Sequence, residues 1–385
     1  MNTLTVAGSF CTAKIFTACD GASGIEGYAI HQIKNLCDNE ASKGSTIRIM
    51  PDVHPGKLCT IGLTMTVTKR ILPEIVGIDI GCGMTVARIK KIRPEFQRLD
   101  TVIRENVPSG GEHRKEIHPL AYEFDAAALR CKSHLRKTED GLPRFLYGAG
   151  TLGGGNHFIE VDKDDEGNAY LVLHSGSRHL GCEVSDRYLL EGYRRLKAAG
   201  EDIPYELTYL EGELMWNYIH DVQIVKDFAT LNRHIMIREI CRGMKWKIEE
   251  EWTNCHNYIS ETENGKLIIR KGAISAEKGE RVIIPSNMKD GVILGIGKGN
   301  QDWNCSAPHG SGRILKRTDV KKTHTVSEFK RSMKGIYSSC VSKDTLDEAP
   351  FAYRPLSEIQ EAIQDTVAVE KIIRPVYSFK AGGED

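Results

Sequence analysis

Six short apolar runs, TIRIM, TMTVTKRI, AYLVLHS, KLIIRKG, RVIIPS and GVILGIG, recur along the chain, each rich in β-branched residues and bounded by Gly, Pro or polar clusters. Branching at Cβ suits a pleated surface and Gly or Pro closes it, so these runs are strands. Between them, apolar residues return every three or four positions in GIEGYAIHQIKNLCDN, in a long stretch from about Tyr205 to Met244, and in LSEIQEAIQDTVAVEKII. That spacing predicts helices. The middle stretch is expected to be a helix pair packed into the core, with His220 and His234 structural. The fold class that follows is α/β, a mixed α+β protein. The length of 385 residues leaves the domain count open. No internal repeat or low-complexity linker divides the chain, and the tail AGGED has the composition of a frayed end.

Lys+Arg and Asp+Glu both number 52, so no overall basic character announces nucleic acid, and a phosphate-binding surface must be local. The N-terminus MNTLTVAGSFCTAKIF lacks a basic segment followed by an apolar one, and no run of about 18 apolar residues occurs. A soluble cytoplasmic protein without membrane contact is expected. The 11 cysteines, an odd number without a CxxC pair, fit small buried hydrophobes in a reducing compartment. Cys82 is different, because in VGIDIGCGM the adjoining glycines leave little to cover a thiol.

Two glycine-rich segments look like nucleotide motifs and are not. GAGTLG matches GxGxxG, but GGNHFIEV follows, which is more glycine and then an alternating strand-like run, where a dinucleotide site needs a helix. GIGKGN lacks the ending and spacing of a P-loop. Glycines beside His157 and His309 have another use: they let the backbone approach a ligand and aim N–H groups at anionic oxygens.

Four histidines, His157, His174, His256 and His309, each sit at the end of a strand-like run beside Gly, Ser or Asn. Loops at strand ends collect catalytic groups. Asp79 and Cys82 in DIGCG add a carboxylate and a potential thiolate, and the set suits borderline metals such as Zn, Fe or Mn. His309 lies in APHGSGRILKR, among small residues that let a nucleophile come close to a phosphate, with Arg313 and Arg317 one helical turn apart after it. Guanidinium forks bind phosphate bidentately. Phosphoryl transfer between two cations is the reaction class that joins these features.

The collinear motifs MPDVHPG, GIDIGCG, GTLGGGNHFIE, HSGSR, HN at 256–257, RKGA, GKGN, APHGSGR, EAPFAY and the late Lys380 resemble the RtcB family of RNA ligases over nearly the whole chain. The resemblance implies a single catalytic domain over 1–385, in which strands bear a central two-metal cleft among surrounding helices, with a helical insertion at about 205–244. It implies two Mn²⁺ ions, one on Asp79 and His157 and the other on His174 and His256, with Cys82 between them. His309 would attack the α-phosphate of GTP and become guanylated. The nucleotide would lie against Asn156, His157, Phe158, Ile159 and Glu160, against His256 and Asn257, and against Pro285, Ser286, Asn287 and Met288. Gly310, Ser311 and Gly312 would cradle it, with Tyr353 stacked on the guanine and Lys380 contacting it. Arg178, Arg313 and Arg317 would hold the RNA phosphate, with Lys271 as a further candidate, and Asp52 would orient the site or activate an RNA end.

The activity so implied is the joining of RNA 2′,3′-cyclic phosphate or 3′-phosphate ends to 5′-hydroxyl ends by a monomer, through an RNA-(3′)pp(5′)G intermediate, in RNA repair or tRNA splicing. The alternative is a metal-dependent phosphoesterase that opens cyclic ends without joining them. Departures from the family pattern mark a divergent paralogue: Gly81 in place of Asn, KLCTIG after Gly56, SNMKD at 286–290 with Lys289 and Asp290 near the expected guanine pocket, and His179 after HSGSR.

Overall fold

The computed structural model describes residues 2–17, 25–90 and 95–381, so the AGGED tail beyond Ala381 lies outside the described residues. The strand-like runs form strands at Ile47–His54, Ile61–Thr66, Ala169–Ser175, Leu267–Lys271, Arg281–Pro285 and Val292–Gly297, with the end of TMTVTKRI split off as Arg70–Ile71.

Two sheets organise them. A seven-stranded antiparallel sheet runs in the order Ile248–Cys255, Gly83–Ile89, Ala169–Ser175, Phe158–Lys163, Val367–Lys380, Val292–Gly297, Arg281–Pro285. A six-stranded sheet runs Asn2–Ala7, Thr12–Thr17, Ile47–His54, Ile61–Thr66, Leu267–Lys271, Asn257–Glu261, and its second and third strands are parallel. The edge strands Ile248–Cys255 and Asn257–Glu261 are consecutive in the chain, and the one residue between them is His256.

Strand alternation sends Ile159, Val161, Leu171 and Leu173 to one face of the larger sheet, where they pack against Met236, Ile237 and Ile240. Phe158, Tyr170 and Val172 go to the other face, against Ile283 and Leu294. The stretch expected as a helix pair is a single 33-residue helix, Gly212–Met244, about 50 Å long by its rise per residue. Its apolar residues cover most of its circumference because it packs against other helices and both sheets, and it leaves one face, with Trp216, Asp227 and Arg238, exposed, so no turn is needed. His220 and His234 pair with Asp221 and Glu251 on its flank.

The last expected helix is half right. Leu356–Ala362 is helical, but TVAVEKII belongs to the 14-residue strand Val367–Lys380. The β-branched run outweighs the helical spacing, and Pro375, which cannot donate to a ladder, sits at the register shift. No helix begins within Gly148–Gly153, where the chain makes a 3₁₀ turn and then a loop.

Candidate active site and metal centre

Antiparallel pairing brings the metal candidates to one end of the larger sheet. Cys82 immediately precedes its strand, and Gly83 pairs with Ser175, next to His174. His157 precedes the neighbouring strand, whose Phe158 pairs with both His174 and Lys380. Adjacent strands thus place residues from four distant segments side by side. His256 joins them from the corner between the sheets.

Cys82 Sγ lies 3.5 Å from His157 Nε2 and 3.3 Å from His174 Nε2, and His174 Nε2 lies 3.4 Å from His256 Nε2. The ligand atoms of Asp79, Cys82 and His157 fall within 4.8 Å of one another, as do those of Cys82, His174 and His256, so Cys82 is common to both triads. Cys82 is wholly buried, contrary to the expectation of a poorly covered thiol: the strand and loop around it close over Sγ.

The protons show what these donors fit. His174 Nδ1 lies 3.2 Å from the Asn156 carbonyl, which only accepts, so Nδ1 carries the hydrogen and Nε2 is a bare lone pair. Burial drives the His174 and His256 imidazoles well below their usual range, with His157 and His309 respectively adding to it, so both are neutral. Burial, and then the Asp79 charge, push the Cys82 thiol up. Convergent neutral imidazoles, one thiol and one carboxylate form a donor set that a pair of borderline divalent ions would satisfy, displacing the thiol proton. Asp79 is aimed by Asn257, whose Nδ2 donates to it at 3.2 Å while its Oδ1 accepts from Gly272 N–H at 2.9 Å. Asn257, expected beside the nucleotide, is committed to that task.

His309 follows the short strand Ser306–Pro308, which pairs with Ala273–Ser275. Its Nδ1 lies 2.7 Å from Asp52 Oδ2, and its backbone N–H donates to the same oxygen at 3.2 Å. Asp52 is wholly buried behind the ring, so it orients His309 and cannot reach an RNA end. Glycines make this approach possible. A Cβ at Gly62 would stand 3.1 Å from Asp52 Oδ1, one at Gly312 3.0 Å from the Asp52 carbonyl oxygen, and one at Gly272 3.2 Å from His309 Cε1. With Nδ1–H held by the carboxylate, Nε2 is the nucleophilic nitrogen. The His309 and His256 rings are 4.9 Å apart, so the candidate nucleophile adjoins the candidate metal centre.

His309 opens onto a cleft. Asn156, Phe158 and Glu160 line one wall, Pro285 to Met288 another, Gly310 to Gly312 a third, and Tyr353 with Lys380 the far end. Ile159 does not reach it: one step along a strand reverses the side chain, and Ile159 packs into the core behind. Lys289 and Asp290 lie outside the lining, in a turn whose N–H groups are both accepted by Asn287 Oδ1. Burial raises the Glu160 carboxyl to about 7, while a hydrogen bond from Ser378 at 2.8 Å opposes it.

The arginines differ from expectation. Arg313 is in a loop and Arg317 begins the helix Arg317–Thr323, so they do not share a helical turn. They meet instead at Glu348, a buried carboxylate that sequence reasoning missed. Glu348 pairs with Arg313 at 3.3 Å, with Arg317, and with Lys380 at 2.7 Å. Burial alone would raise its pKa, but the three cations, Lys380 foremost, hold it well below the carboxylate range. Tyr353 Oη donates to Glu348 at 2.5 Å, and the Arg313 guanidinium covers its ring at 4.9 Å, so that face cannot stack on a base. Lys271 donates to the Val76 carbonyl at 2.8 Å and lines neither cleft. A wider adjoining cleft is lined by Asp79, His157, Arg178 and Arg317. Arg178 also donates to the Gly110 carbonyl at 2.9 Å and the Thr151 hydroxyl at 3.1 Å, which hold its guanidinium on this wall.

The long helix supplies two further residues that the sequence reading left in the core. Arg233, wholly buried, donates to the carbonyls of Gly81 at 3.0 Å and Ser175 at 2.9 Å, each adjoining a metal candidate. Asn232 binds the Gly176 carbonyl and accepts from the N–H groups of Gly150 and Thr151. Gly81 permits this contact, since a Cβ there would come within 2.9 Å of Ala229 and Lys226 on the same helix. The only signal was two strongly polar residues, Asn232 and Arg233, inside an apolar helix.

Comparison with known proteins agrees with this geometry. The family model described as tRNA-splicing ligase RtcB matches residues 32–142 and 131–381. RNA-splicing ligase RtcB of Escherichia coli K12 is 31% identical over 366 aligned residues, covering 87% of this chain and 90% of the relative. RNA-splicing ligase RtcB2 of Escherichia coli is 26% identical over 411 residues, with 96% of each chain covered. tRNA-splicing ligase RtcB of Aeropyrum pernix is 26% identical over 418, with 85% and 86% covered. A match that spans both donor triads, the His309 cleft and Lys380 makes this chain a member of the RtcB family.

Proposed function

We propose that this protein is an RNA ligase that uses GTP and Mn²⁺ to join RNA ends bearing a 2′,3′-cyclic phosphate or 3′-phosphate to 5′-hydroxyl ends, as a cytoplasmic monomer in RNA repair or tRNA splicing. RNA ligation is the activity for which its relatives are named. The observation that carries the guanylation step is the Asp52–His309 pair, which leaves Nε2 free on a ring that lines a cleft beside two metal-capable triads.

The chemistry runs through the residues as follows. His309 Nε2 attacks the α-phosphorus of GTP, a phosphorus–nitrogen bond forms, and pyrophosphate leaves with the electron pair of the broken bond. Asp52, on Nδ1–H, stabilises the positive charge that grows on the ring. Water opens a cyclic end, its oxygen bonding to phosphorus as the P–O2′ bond breaks and the 2′-oxygen takes a proton; an oxygen of the resulting 3′-phosphate then attacks the guanylate phosphorus, releasing His309 and giving RNA-(3′)pp(5′)G. The 5′-hydroxyl attacks the RNA phosphorus, loses its proton, and GMP departs. Mn²⁺ ions on the two triads would supply positive charge beside the phosphates. Asn156 and Glu160 would meet the nucleoside, and Arg178 on the wider wall would meet RNA phosphate.

The test is incubation with α-labelled GTP and Mn²⁺, followed by ligation of a cyclic-phosphate RNA to a 5′-hydroxyl RNA. The wild type should form an acid-labile, alkali-stable adduct and joined product, and His309→Ala neither. Joining by His309→Ala at the wild-type rate would sink the proposal.

A further inference from the structure

We infer that His113 and His179 form a clamp for one RNA backbone phosphate on the wall of the wider cleft, one step outward from the metal centre. The inference rests on the RNA-ligase reading and adds to it a contact that neither the resemblance nor the donor triads contain. His179 opens the helix His179–Ala198, is exposed, and lines the wider cleft together with Asp79, His157 and Arg178. His113 reaches it from the loop before Pro119: the two Nε2 atoms are 3.0 Å apart and the ring centroids 4.8 Å. The pair belongs to neither triad able to hold a metal among the described residues.

Proton arithmetic gives the pair its chemistry. Two Nε2 atoms at 3.0 Å share a single hydrogen, one ring donating and the other accepting, so the unliganded pair is satisfied while uncharged at that contact. A second proton would put two N–H groups against each other, which repel. An anion between them removes the repulsion, because both N–H groups can then donate to its oxygens and the one imidazolium charge faces a negative one. His113 is predisposed to be neutral while the site is empty: burial, then His179, then Arg178 and Arg144 hold its imidazole below the usual range. The exposed His179 ring has room to turn toward the cleft.

The surroundings favour an anion. Arg178 and Arg144 are on the His113 side, and Lys321 and Arg317 lie across the cleft. The acids nearby are Glu183, one turn along the His179 helix and accepting the Arg136 N–H at 2.8 Å, and Asp344, Asp347 and Glu348 on the far wall, the last two paired with Arg317. Cys182 also faces the cleft. In a cleft running from the metal centre, the anion that must pass this point is a phosphodiester of the bound RNA strand. Its capture takes up a proton, so it strengthens as pH falls through the imidazole range.

The test measures binding of a fluorescent single-stranded 5′-hydroxyl RNA to the full chain by anisotropy at pH 6.5 and 8.5, over a salt series. Variants are His113→Asn, His179→Asn and the double mutant, with melting temperatures recorded for each. Wild-type affinity should rise about tenfold from pH 8.5 to 6.5. Either single variant should remove most of that rise and lower the salt slope by about 1. The double variant should do little more than either single one, since one clamp is broken once. Equal losses at both pH values, or additive losses, would overturn the clamp and mark the pair as structural. Failure of the wild type to bind RNA at all would overturn the ligase reading with it, whereas wild-type ligation with an unchanged pH dependence in His179→Asn would overturn the clamp alone.

Discussion

Replacing Asp52 by Asn isolates the part of the site that makes His309 reactive. The carboxylate is wholly buried, and its Oδ2 receives both Nδ1–H at 2.7 Å and the His309 backbone N–H at 3.2 Å, while Oδ1 has no hydrogen-bond partner among the described residues. Asn keeps the shape and loses the charge. Attack by Nε2 builds a positive charge on the ring, whose centre is about 4 Å from the carboxylate charge. At an effective dielectric of about 20 that interaction is worth roughly 4 kcal/mol, or about 10³ in rate. The carboxamide adds a second penalty if its NH₂ faces the ring, because Nδ1 must then accept and the proton moves to the nucleophilic nitrogen. The assay is the single-turnover rate of covalent labelling by α-labelled GTP with Mn²⁺ at saturation, with thermal unfolding alongside. A rate about 10³ below wild type is expected, with melting shifted by only a few degrees, since the carboxamide keeps the shape and an unpaired carboxylate oxygen gives way to an unpaired but uncharged NH₂ as one charged hydrogen bond weakens. Labelling within about fivefold of wild type would refute the assignment of Asp52 as the group that fixes and supports the imidazole.

Cys82→Ser should weaken binding of both Mn²⁺ equivalents, read by calorimetry, because Cys82 belongs to both triads, whereas His157→Gln should remove one of the two. Glu348→Gln should cost about 3–5 kcal/mol in denaturant unfolding, since it leaves Arg313, Arg317 and Lys380 without their shared counter-charge. The Glu348 carboxyl is held below its unfolded value, so its stabilisation is present above about pH 4.3 and fades as pH falls further. The gap between wild type and Glu348→Gln should therefore narrow in acid. Asp162 behaves in the opposite sense: it is wholly buried, both its oxygens lack partners among the described residues, and burial followed by Glu160 raises its pKa well above the usual range. The folded state then holds a proton that the unfolded chain releases, so stability drops as pH rises above about 4. Asp162→Asn should melt close to wild type at pH 4 and several degrees higher at pH 7.

The strands and the site histidines were legible because their signals are local. A β-branched run ended by Gly or Pro specifies a strand within its own few residues, and His157, His174 and His309 each carried their glycine or serine setting beside them. What remained hidden depends on partners distant in sequence. Arg313 and Arg317 gave no sign that they meet at Glu348, 35 and 31 residues further on, while both still line the His309 cleft. Tyr353 was assigned a stacking role because nothing near it foretold that Arg313 would cover its ring. The long helix misled for the converse reason: its broad apolar surface indicates burial over most of its circumference, and periodicity alone does not separate that from two helices packed together.

Where the groups come from also bears on how the site works. The triads stand chiefly at strand ends of the seven-stranded sheet, while Asp52 belongs to the six-stranded sheet and His309 to the short ladder with Ala273–Ser275. The nucleophile and the ions it needs are therefore held by different sheets. They meet at His256, the single residue joining one sheet to the other, with its ring 4.9 Å from His309 and its Nε2 3.4 Å from that of His174. Any slip between the sheets would alter that spacing directly, and a displacement of about 1 Å can cost about 10²-fold in rate. The buried Arg233 steadies the metal side of that junction: from the long helix it ties the carbonyls beside Cys82 and His174 to the Thr253 hydroxyl at 3.0 Å, three residues before His256, all in or beside the seven-stranded sheet. The spacing of the candidate metal donors thus depends on a charge buried in the core, on a helix that also buries Asp221, Asn232 and Glu239.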